Sequence, residues 1–417
     1  MKAHPKFKKT LLHAPCVKER VLQQNEAVII DAVRSPFGRR AGALREQRPD
    51  TLLADTLQAL LTRTGAPAEC VGDVLAGCVS QAGEQGGNIA RQAALLAGLP
   101  EQVPGVSMNR MCGSSQYAIH AAAQAVAAGD MPFAIACGVE SMTRVPMFTD
   151  LTLGRHEFTG FDNLHPSLLK RFAIPHQVES AERIAEQWGL SRHDLDSYAM
   201  LSHQRAQAAK VAAKHTELVP RTGLDKEGQS LILDYDEGIR AHIDPERMAA
   251  MQPVFRRPEQ GGQITAANAS QMSDGAAAVL IGQRAIAQDY GMRPQARFRA
   301  RVVTGSDPIL QLTGIIPATK QALAKAGLSL QDMDWIEVNE AFASVALCFI
   351  REFSPDMDKF NPWGGAIAHG HPLGATGAGL MAKMLAGLRD TNGQFGLQVM
   401  CIGHGMATAT IIERLNP

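Results

Sequence analysis

Short runs of apolar residues recur along the chain and predict buried strands. Runs of about four to eight such residues are typical of strands that are covered on both faces. They lie at 27–33, 74–78, 133–137, 276–281, 296–303, 335–338 and 397–402. Longer segments between them predict helices at 50–61, 88–98, 118–128, 191–210, 317–327 and 374–388. This alternation predicts an α/β protein with mostly parallel sheets.

Residues that favour helix ends sharpen several of these boundaries. Asp50 is a candidate N-cap, and Gly65 follows the same helix as its stop signal. Ser191 begins a predicted capping box. Pro317 suits the first position of a helix that ends before Gly327.

The last third of the chain repeats the pattern of the first third. Gly65 precedes Val74 by nine residues, and Gly327 precedes Ile336 by nine residues. The segment 137–142 also matches 401–406 in its cysteine, its methionine and its turn character. Such a repeat predicts two similar halves. If the halves pack back to back, the N-termini of their helices meet at one junction, where a site would form.

The segment 145–263 differs from the rest because it is richer in charge, His and Pro. We expect it to be inserted and folded over the halves, with strand and turn structure resuming at 264–270. The first 26 residues are basic, lack an apolar signal segment, and are interpreted as a solvated extension. The predicted division is an extension at 1–26, a first half at 27–144 plus 264–290, an inserted loop domain at 145–263, and a second half at 291–417.

Composition excludes several classes of function. Lys plus Arg and Asp plus Glu both number 41, so no global charge favours nucleic acid or an anionic membrane. The longest apolar runs are much shorter than the ~20 residues that a membrane-spanning helix needs. The seven cysteines are an odd number without a C-x-x-C pair. That usage predicts reduced thiols and a cytoplasmic protein.

One cysteine lies where a helix is predicted to begin. Cys112 is followed by Gly113, two serines and an alanine-rich run. Free N–H groups in the first turn of a helix favour negative charge, so we expect the Cys112 thiol to be more acidic than usual. Burial as a small core residue is the alternative interpretation.

Three further segments place polar groups at predicted strand ends or helix starts. The segment 364–377 contains five glycines with His369 and His371, Cys401 ends a strand, and Asn339 follows another. Strand ends are where ligands bind in open α/β sheets. Together these segments supply a nucleophile, a base, a second thiol and an amide.

The order and spacing of these motifs resemble the thiolase family. The matching motifs are Cys112-Gly113-Ser114-Ser115, Asn339-Glu340-Ala341-Phe342, Gly370-His371-Pro372 and Cys401-Ile402-Gly403, and the resemblance spans about 27–415. It implies two duplicated halves in a five-layer αβαβα fold, with an inserted loop domain that helps to hold coenzyme A. It also implies a homodimer or homotetramer, acyl-CoA and coenzyme A as substrates, and no permanently bound cofactor or metal.

The resemblance implies a role for each matching residue. Cys112 would be the acylated nucleophile, His371 its activating base, and Cys401 the second acid/base. Asn339, through a water, and His371 would stabilise the enolate oxygen, while the backbone N–H groups of Cys112 and Gly403 would form an oxyanion hole. Contacts with coenzyme A are implied for Ser270, His176 and Arg240.

The chain departs from the family pattern at three places. His404 stands within a turn that is usually all glycine, Arg247 replaces a residue that is often small, and His369 is an extra imidazole. A metal site is an alternative use of His369, His371, His404 and Cys401, but no carboxylate that could orient the imidazoles accompanies them in sequence. A dinucleotide site is not expected at 403–405, because Thr408 stands where that motif has its third glycine, and no G-x-S-x-G motif indicates a serine hydrolase.

We therefore expect thiolytic cleavage of 3-oxoacyl-CoA to acetyl-CoA and a shortened acyl-CoA, in the degradative direction of β-oxidation. Bulky apolar residues within 146–175 favour that direction because they could line an acyl tunnel. Two alternatives stay open: a biosynthetic enzyme that condenses two acetyl-CoA, and a subunit that is active only with a hydratase/dehydrogenase partner. A decarboxylating ketosynthase is disfavoured by Cys401, and a non-catalytic carrier by the complete Cys/His/Cys set.

Overall fold

The computed structural model describes residues 26–152 and 164–415. Within these ranges, ten strands form one sheet in the order β10-β11-β12-β9-β1-β8-β5-β3-β4, with β2 paired to β8. The strands of this sheet are β1 (Ala27–Arg34), β2 (Gly38–Arg39), β3 (Val71–Gly77), β4 (Gly105–Met108), β5 (Phe133–Ser141), β8 (Ser273–Gln283), β9 (Ala296–Gly305), β10 (Trp335–Val338), β11 (Phe395–Ile402) and β12 (Met406–Arg414). β6 (Arg221–Leu224) and β7 (Ser230–Leu233) form a separate hairpin.

Helices cover both faces of the sheet and fill the space between its two halves. Their bounds are α1 (Pro49–Thr64), α2 (Ile89–Leu96), α3 (Ser114–Ala128), α4 (Pro166–Arg171), α5 (Gln177–Gln187), α6 (Arg192–Val211), α7 (Pro245–Ala249), α8 (Arg284–Asp289), α9 (Ile315–Ala326), α10 (Ala343–Phe353), α11 (Ala366–His369) and α12 (Leu373–Asp390). No helix in the described ranges is both long enough and apolar enough to cross a membrane.

The two halves of the sheet have the same strand order, which confirms the predicted repeat. β1-β8-β5-β3 in the first half corresponds to β9-β12-β11-β10 in the second. In each set the first three strands pair antiparallel and the last two pair parallel. β1 and β9 join the halves through a short antiparallel pairing.

The layers follow from which face of each strand is covered. On β5, Ala134 and Ala136 contact the cluster of α3 and α12, whereas Ile135 and Cys137 contact the cluster of α1 and α2. This alternation is the two-residue period of a strand buried on both faces. α9 packs on the outer face of β9 and β12. The result is five layers, with α3 and α12 in the middle.

The N-termini of α3 and α12 meet at the junction of the halves, as the repeat predicted. A Cβ atom at Gly138 would lie 2.1 Å from the backbone oxygen of Gly374 and 2.8 Å from the Cβ of Ser115. Only glycine therefore allows β5 to approach both helices at this point. The close approach places the entries of both central helices beside the strand ends.

Several local predictions are wrong. Most strand pairs are antiparallel rather than parallel, since β8 and β12 each return between two neighbouring strands, and the short turn after β11 can join only antiparallel strands. The N-cap of α1 is Arg48, with Pro49 at the first helical position and Asp50 in the first turn. Pro317 is the third residue of α9. β4 and β12 were not predicted.

The segment 264–270 forms the expected turns, but one isolated bridge stands in place of the expected strand. Side chains bind the backbone N–H groups that a neighbouring strand would otherwise bind. Glu182 accepts hydrogen bonds from Gln263 and Ile264, and Asn268 accepts one from Thr265. Elsewhere, Asn88 caps α2 and Ser191 forms the predicted capping box of α6.

The expectation of reduced thiols holds for most described cysteines but is wrong for one. Cys78, Cys112, Cys137, Cys348 and Cys401 are free and buried. Cys70, in contrast, is disulfide-bonded.

Candidate active site

Cys112 lies in the turn that enters α3. It sits two residues before Ser114, the first helical residue, and Met111 before it has a left-handed backbone with φ 46°. The Arg110 carbonyl accepts a hydrogen bond from the Gly113 N–H, and the Met111 carbonyl accepts one from the Ser114 N–H. These bonds close the turn and hold Cys112 at a fixed position. Its side chain is nearly completely buried.

The Cys112 thiol is not more acidic than usual, so that prediction is wrong. Burial raises its pKa, and the nearby Cys401 acts in the same direction, whereas hydrogen bonds from the backbone N–H groups of Cys112 and Gly403 oppose the increase. The enclosed sulfur loses its hydration, and this loss raises the pKa by more than the start of the helix lowers it. The two N–H groups nevertheless lie beside the sulfur, and their role as an oxyanion hole for a substrate oxygen stays a prediction.

His371 is held from several sides at the start of α12. Its backbone N–H donates to the Gln271 carbonyl at 3.0 Å and lies 3.2 Å from the Ser273 hydroxyl oxygen. Its Nδ1 lies 2.7 Å from the Thr376 hydroxyl oxygen. Burial lowers the pKa of His371 to about 4, so the imidazole is neutral near pH 7. A neutral imidazole can accept a proton.

Asn339 connects His371 with the second thiol. Its Nδ2 lies 3.5 Å from His371 Nε2 and 3.9 Å from Cys401 Sγ. Its Oδ1 is buried and has no hydrogen-bond partner among the described residues. A buried acceptor of this kind is a site for a water or a substrate donor, because leaving it unpaired is costly. The structure thus brings together Asn339, His371 and Cys401.

Cys401 is completely buried at the end of β11. Burial raises its pKa to about 11, against hydrogen bonds from the Asn339 side chain and from backbone N–H groups. It is therefore a protonated thiol at neutral pH, in the state that can donate a proton.

The turn after Cys401 places Gly403 beside Cys112. A Cβ atom at Gly403 would lie 2.4 Å from Gln177 Nε2 and 2.7 Å from Met111 Sδ, so a side chain there would compete with both. His404 is left-handed with φ 61°, and its N–H donates to Gln311 Oε1 at 2.7 Å. The turn accepts this side chain because its backbone stays within the left-handed region that non-glycine residues occasionally adopt.

Two buried carboxylates hold the segments around the site together, and the sequence did not predict this role for either of them. Glu140 accepts hydrogen bonds from the backbone N–H groups of Val79, Ser80 and Gly374, and from the Gln85 side chain. Because Gly374 belongs to α12, this carboxylate ties the two halves together. Its position within a fully apolar run was the available signal.

Glu340 braces the opposite side of the site. Its carboxylate accepts hydrogen bonds from the Tyr198 and Ser202 hydroxyls of α6, from Asn361 and from the backbone N–H of Ile367. It therefore connects the segment 145–263 to the glycine-rich loop that precedes His371. Its neighbour Asn339 drew attention to the motif, but its contacts are far apart in sequence.

The three residues implied in binding coenzyme A, called the rim residues below, are partly or fully exposed. Ser270 is half-buried, and its N–H donates to the Ala341 carbonyl two residues from Asn339. His176 caps α5 and stacks on Phe255, with ring centroids 5.4 Å apart. Arg240 is exposed, and its N–H donates to His203. Phe255, which sequence reasoning missed, is half-exposed beside His176.

The extra imidazole, His369, lies beside a buried lysine and not beside other groups that bind metals. Its Nε2 lies 3.3 Å from Lys383 Nζ, which also donates to the Gly364 carbonyl and pairs with Glu337 at 2.8 Å. A buried lysine thus occupies the position beside His369. Among the described residues, no group of three or more His, Cys, Asp or Glu is arranged to hold a metal ion. Arg247, the other departure, is exposed on α7.

Comparison with known proteins agrees with this geometry along nearly the whole chain. The thiolase N-terminal domain matches residues 27–285, and the thiolase C-terminal domain matches 292–414. A steroid 3-ketoacyl-CoA thiolase of Mycobacterium tuberculosis is 45% identical over 94% of this chain and 94% of its own length. The 3-oxoadipyl-CoA/3-oxo-5,6-dehydrosuberyl-CoA thiolase of Escherichia coli is 42% identical over 94% of this chain and 100% of its own length.

A solved structure shares the fold as well as the sequence. Human mitochondrial 3-ketoacyl-CoA thiolase superposes with a TM-score of 0.85 at 32% identity, over 94% of this chain and 100% of the human chain. The matched domains, the identity along the full length and the shared fold establish the same conclusion. This chain belongs to the thiolase family of acyltransferases.

Proposed function

We propose that this chain cleaves 3-oxoacyl-CoA with free coenzyme A, through an acyl group carried on Cys112. The observation that supports it most strongly is the convergence of Asn339, His371 and Cys401 within hydrogen-bonding range, with the Gly403 N–H directed at the Cys112 sulfur. Relatives at 39–42% identity that are named 3-ketoacyl-CoA thiolase support the substrate class.

In the first step, the Cys112 sulfur attacks the C3 carbonyl carbon of the substrate while its proton passes to His371. Burial keeps both groups neutral before substrate binds, so proton transfer accompanies the attack rather than preceding it. The C3 oxygen becomes negative and is stabilised by the N–H groups of Cys112 and Gly403. Such donors typically contribute ~10²–10³ to the rate.

In the second step, the bond between C2 and C3 breaks and acetyl-CoA leaves as its enolate. Cys401, protonated because burial raises its pKa to about 11, donates a proton to C2. The enolate oxygen is stabilised by His371 and by a water on Asn339, whose buried Oδ1 provides the acceptor that would hold the water. The proton on His371 passes to the Cys401 thiolate. His371 then takes the thiol proton of coenzyme A as its sulfur attacks the Cys112 thioester, and returns it to the Cys112 sulfur as the shortened acyl-CoA leaves.

The rim residues would hold coenzyme A. The half-exposed ring of Phe255 and the stacked His176 offer an apolar and aromatic surface at the mouth of the site. Ser270 lies next to the strand-end motif of Asn339, and exposed Arg240 supplies positive charge for a phosphate.

The degradative direction with a medium or long acyl group rests on apolar residues of the segment 146–175. Met147 and Phe148 are described, and Phe148 contacts His176 edge-on with centroids 6.2 Å apart. Leu168 and Leu169 lie on α4. Phe158 and Phe161, which entered the same prediction, lie outside the described residues.

The decisive experiment measures thiolysis by the purified full-length chain. We expect turnover of 3-oxo-C8- to 3-oxo-C16-CoA with higher kcat/KM than acetoacetyl-CoA, and a Cys112 peptide that gains the mass of the acyl group. A steroid-derived and a dicarboxylic 3-oxoacyl-CoA complete the panel, because named relatives act on such groups. A Cys112→Ala variant that retains substantial thiolysis would contradict the mechanism, and preference for condensing acetyl-CoA would favour the biosynthetic alternative.

We further propose a homodimer or homotetramer in the cytoplasm. Within the described ranges β4 ends the sheet, and the half-exposed Leu95, Leu96 and Val106 lie on α2 and β4 beside that edge. An open strand edge with apolar neighbours favours self-association. Light scattering of the purified chain tests the oligomer. Activity that appears only with a copurifying hydratase/dehydrogenase chain would instead support the partner-dependent alternative.

A further inference from the structure

A chain of hydrogen bonds behind His371 determines which of its nitrogens carries the proton. Thr376 is completely buried in the first turn of α12. Its hydroxyl donates to the Pro372 carbonyl at 2.9 Å, a bond between residues four apart that threonine commonly makes in helices. A hydroxyl has one proton, so while it is directed at Pro372 the Thr376 oxygen accepts from His371 Nδ1, which lies 2.7 Å away.

We propose that Thr376 is a positioning residue that holds His371 as the Nδ1–H tautomer and leaves Nε2 unprotonated as the base. This inference deepens the proposed function and rests on it for its catalytic meaning. Thr376 acts through His371, because its hydroxyl is committed to the Pro372 carbonyl and to the imidazole.

The opposite side of the imidazole agrees with this tautomer. Asn339 Nδ2 lies 3.5 Å from His371 Nε2 and can donate only to a nitrogen without a proton. The same amide group faces Cys401 Sγ at 3.9 Å. The hydrogen bonds therefore all point in one direction. Asn339 donates to His371, His371 donates to Thr376, and Thr376 donates to the Pro372 carbonyl.

The alternative tautomer would break contacts on both sides. An Nε2–H would face the Asn339 amide protons, and a bare Nδ1 would face an oxygen whose proton is already directed at Pro372. To pair both ring nitrogens in this tautomer, the Asn339 amide would have to turn and the Thr376 hydroxyl would have to leave the Pro372 carbonyl. The Pro372 carbonyl would keep its backbone donors Ala375 and Thr376, but the turned amide would take Asn339 Nδ2 away from Cys401 Sγ. The first tautomer keeps all of these contacts and is therefore favoured.

The experiment is nitrogen NMR on the full chain labelled with ¹⁵N-histidine. The His371 signals are assigned by their absence in a His371→Gln variant. We expect a protonated Nδ1 and a bare Nε2 in the wild type and in Thr376→Ser, which retains the hydroxyl. In Thr376→Val, which keeps the shape and removes the acceptor, we expect a shift toward Nε2–H.

The same variants are compared in single-turnover acylation of Cys112 by a 3-oxoacyl-CoA. We expect Thr376→Val to be slower by roughly 10- to 100-fold, by analogy with the loss of a partner that orients a metal-bound histidine. Thr376→Ser should stay within a few-fold of wild type. A slower Thr376→Val with an unchanged tautomer would indicate a merely structural role and would overturn the inference.

Two further outcomes separate this inference from the function. An Nε2–H signal in the wild type overturns the inference directly and needs no variant to fold. A wild type with a bare Nε2 that cleaves no 3-oxoacyl-CoA supports the tautomer assignment and contradicts the proposed function instead.

Discussion

The segments 137–142 and 401–406 occupy equivalent positions in the two halves, yet they differ in backbone conformation and in the contacts they make. Both begin with a buried cysteine on an inner strand of the sheet. In the first half the strand continues through Ser141, and Glu140 binds four N–H donors. In the second half the strand ends at Ile402, and His404, which matches Glu140, turns the chain with φ 61°.

This difference shows where the repeated halves diverged. The strand order is the same, so both segments lie at the carboxyl ends of equivalent inner strands. An extended strand end allows Glu140 to fasten α12 to the first half. A turned end instead exposes the Gly403 N–H toward Cys112 and leaves Cys401 at the site. One half therefore supplies the carboxylate that holds α12, and the other supplies the thiol that we propose moves protons.

The sharpest way to test the comparison is to remove each of the two matched cysteines. Cys401→Ala should lower thiolysis of 3-oxoacyl-CoA by ~10²–10⁴, since it removes the acid that protonates the departing enolate. Exchange of labelled coenzyme A into a saturated acyl-CoA should survive, because that reaction needs Cys112 and His371 but moves no C2 proton. Both rates are measured with the purified chain.

Cys137→Ala is the matched control. Its sulfur is equally buried and lies among the side chains of α1 and α2, away from Cys112. It should lower the stability by the ~1 kcal/mol expected for a small lost core contact and leave both rates within a few-fold. Equal losses of thiolysis in the two variants would show that the halves are not functionally distinct.

The apolar pattern of the sequence was sufficient to predict the repeat, because Gly65 and Gly327 each end a helix nine residues before a buried strand position, Val74 of β3 and Ile336 of β10. It was insufficient for β12, since a mixed run of small and polar residues becomes a strand only when β9 and β11 flank it. Within the site, the motif residues could be found from sequence. Glu140 and Gln271 could not, because they contact segments that are distant in sequence. Thr376 could not, because its contacts with His371 and Pro372 depend on the backbone at the start of α12.

A second comparison concerns the buried imidazoles of the central helices. Burial lowers the pKa of His120 on α3 to about 3 and that of His371 at α12 to about 4. The unfolded chain binds protons at these residues below about pH 6.5, whereas the folded chain does not. Each histidine should therefore cost about 2 kcal/mol of unfolding free energy between pH 7 and pH 5.

Denaturant unfolding of wild type and His120→Gln at pH 7, 6 and 5 measures this effect. Buried carboxyls whose pKa is raised, such as Glu140 and Glu337, act in the opposite sense, so the difference between the two proteins is the informative quantity. We expect His120→Gln to gain relative stability as the pH falls. A difference that stays constant over this range would show that His120 is not neutral in the folded chain.

Replacing Glu140 by Gln tests how much the hydrogen bonds of this carboxylate stabilise the fold. The amide keeps the shape but directs two protons at a site already filled by N–H donors, so we expect a loss of about 2–3 kcal/mol in unfolding free energy. The charge of Glu140 also contributes to the raised pKa of Cys112, and its removal should make that thiol slightly more acidic. Alkylation of Cys112 by iodoacetamide across pH 7–10 reports the second effect.

The smallest effect is expected at the position that matches Glu140 in the second half. His404→Gly keeps the N–H that donates to Gln311 and relieves a left-handed side chain, so the unfolding free energy should change by less than about 1 kcal/mol. Gly405→Ala is the contrasting variant, because its Cβ would lie 2.7 Å from the backbone oxygens of Ser306 and Asp307 at φ 76°. It should cost roughly 2 kcal/mol or more. Thermal unfolding of the three proteins then shows whether this turn tolerates a side chain at 404 alone; an equal loss in both variants would mean that His404 stabilises the turn as Glu140 stabilises its strand.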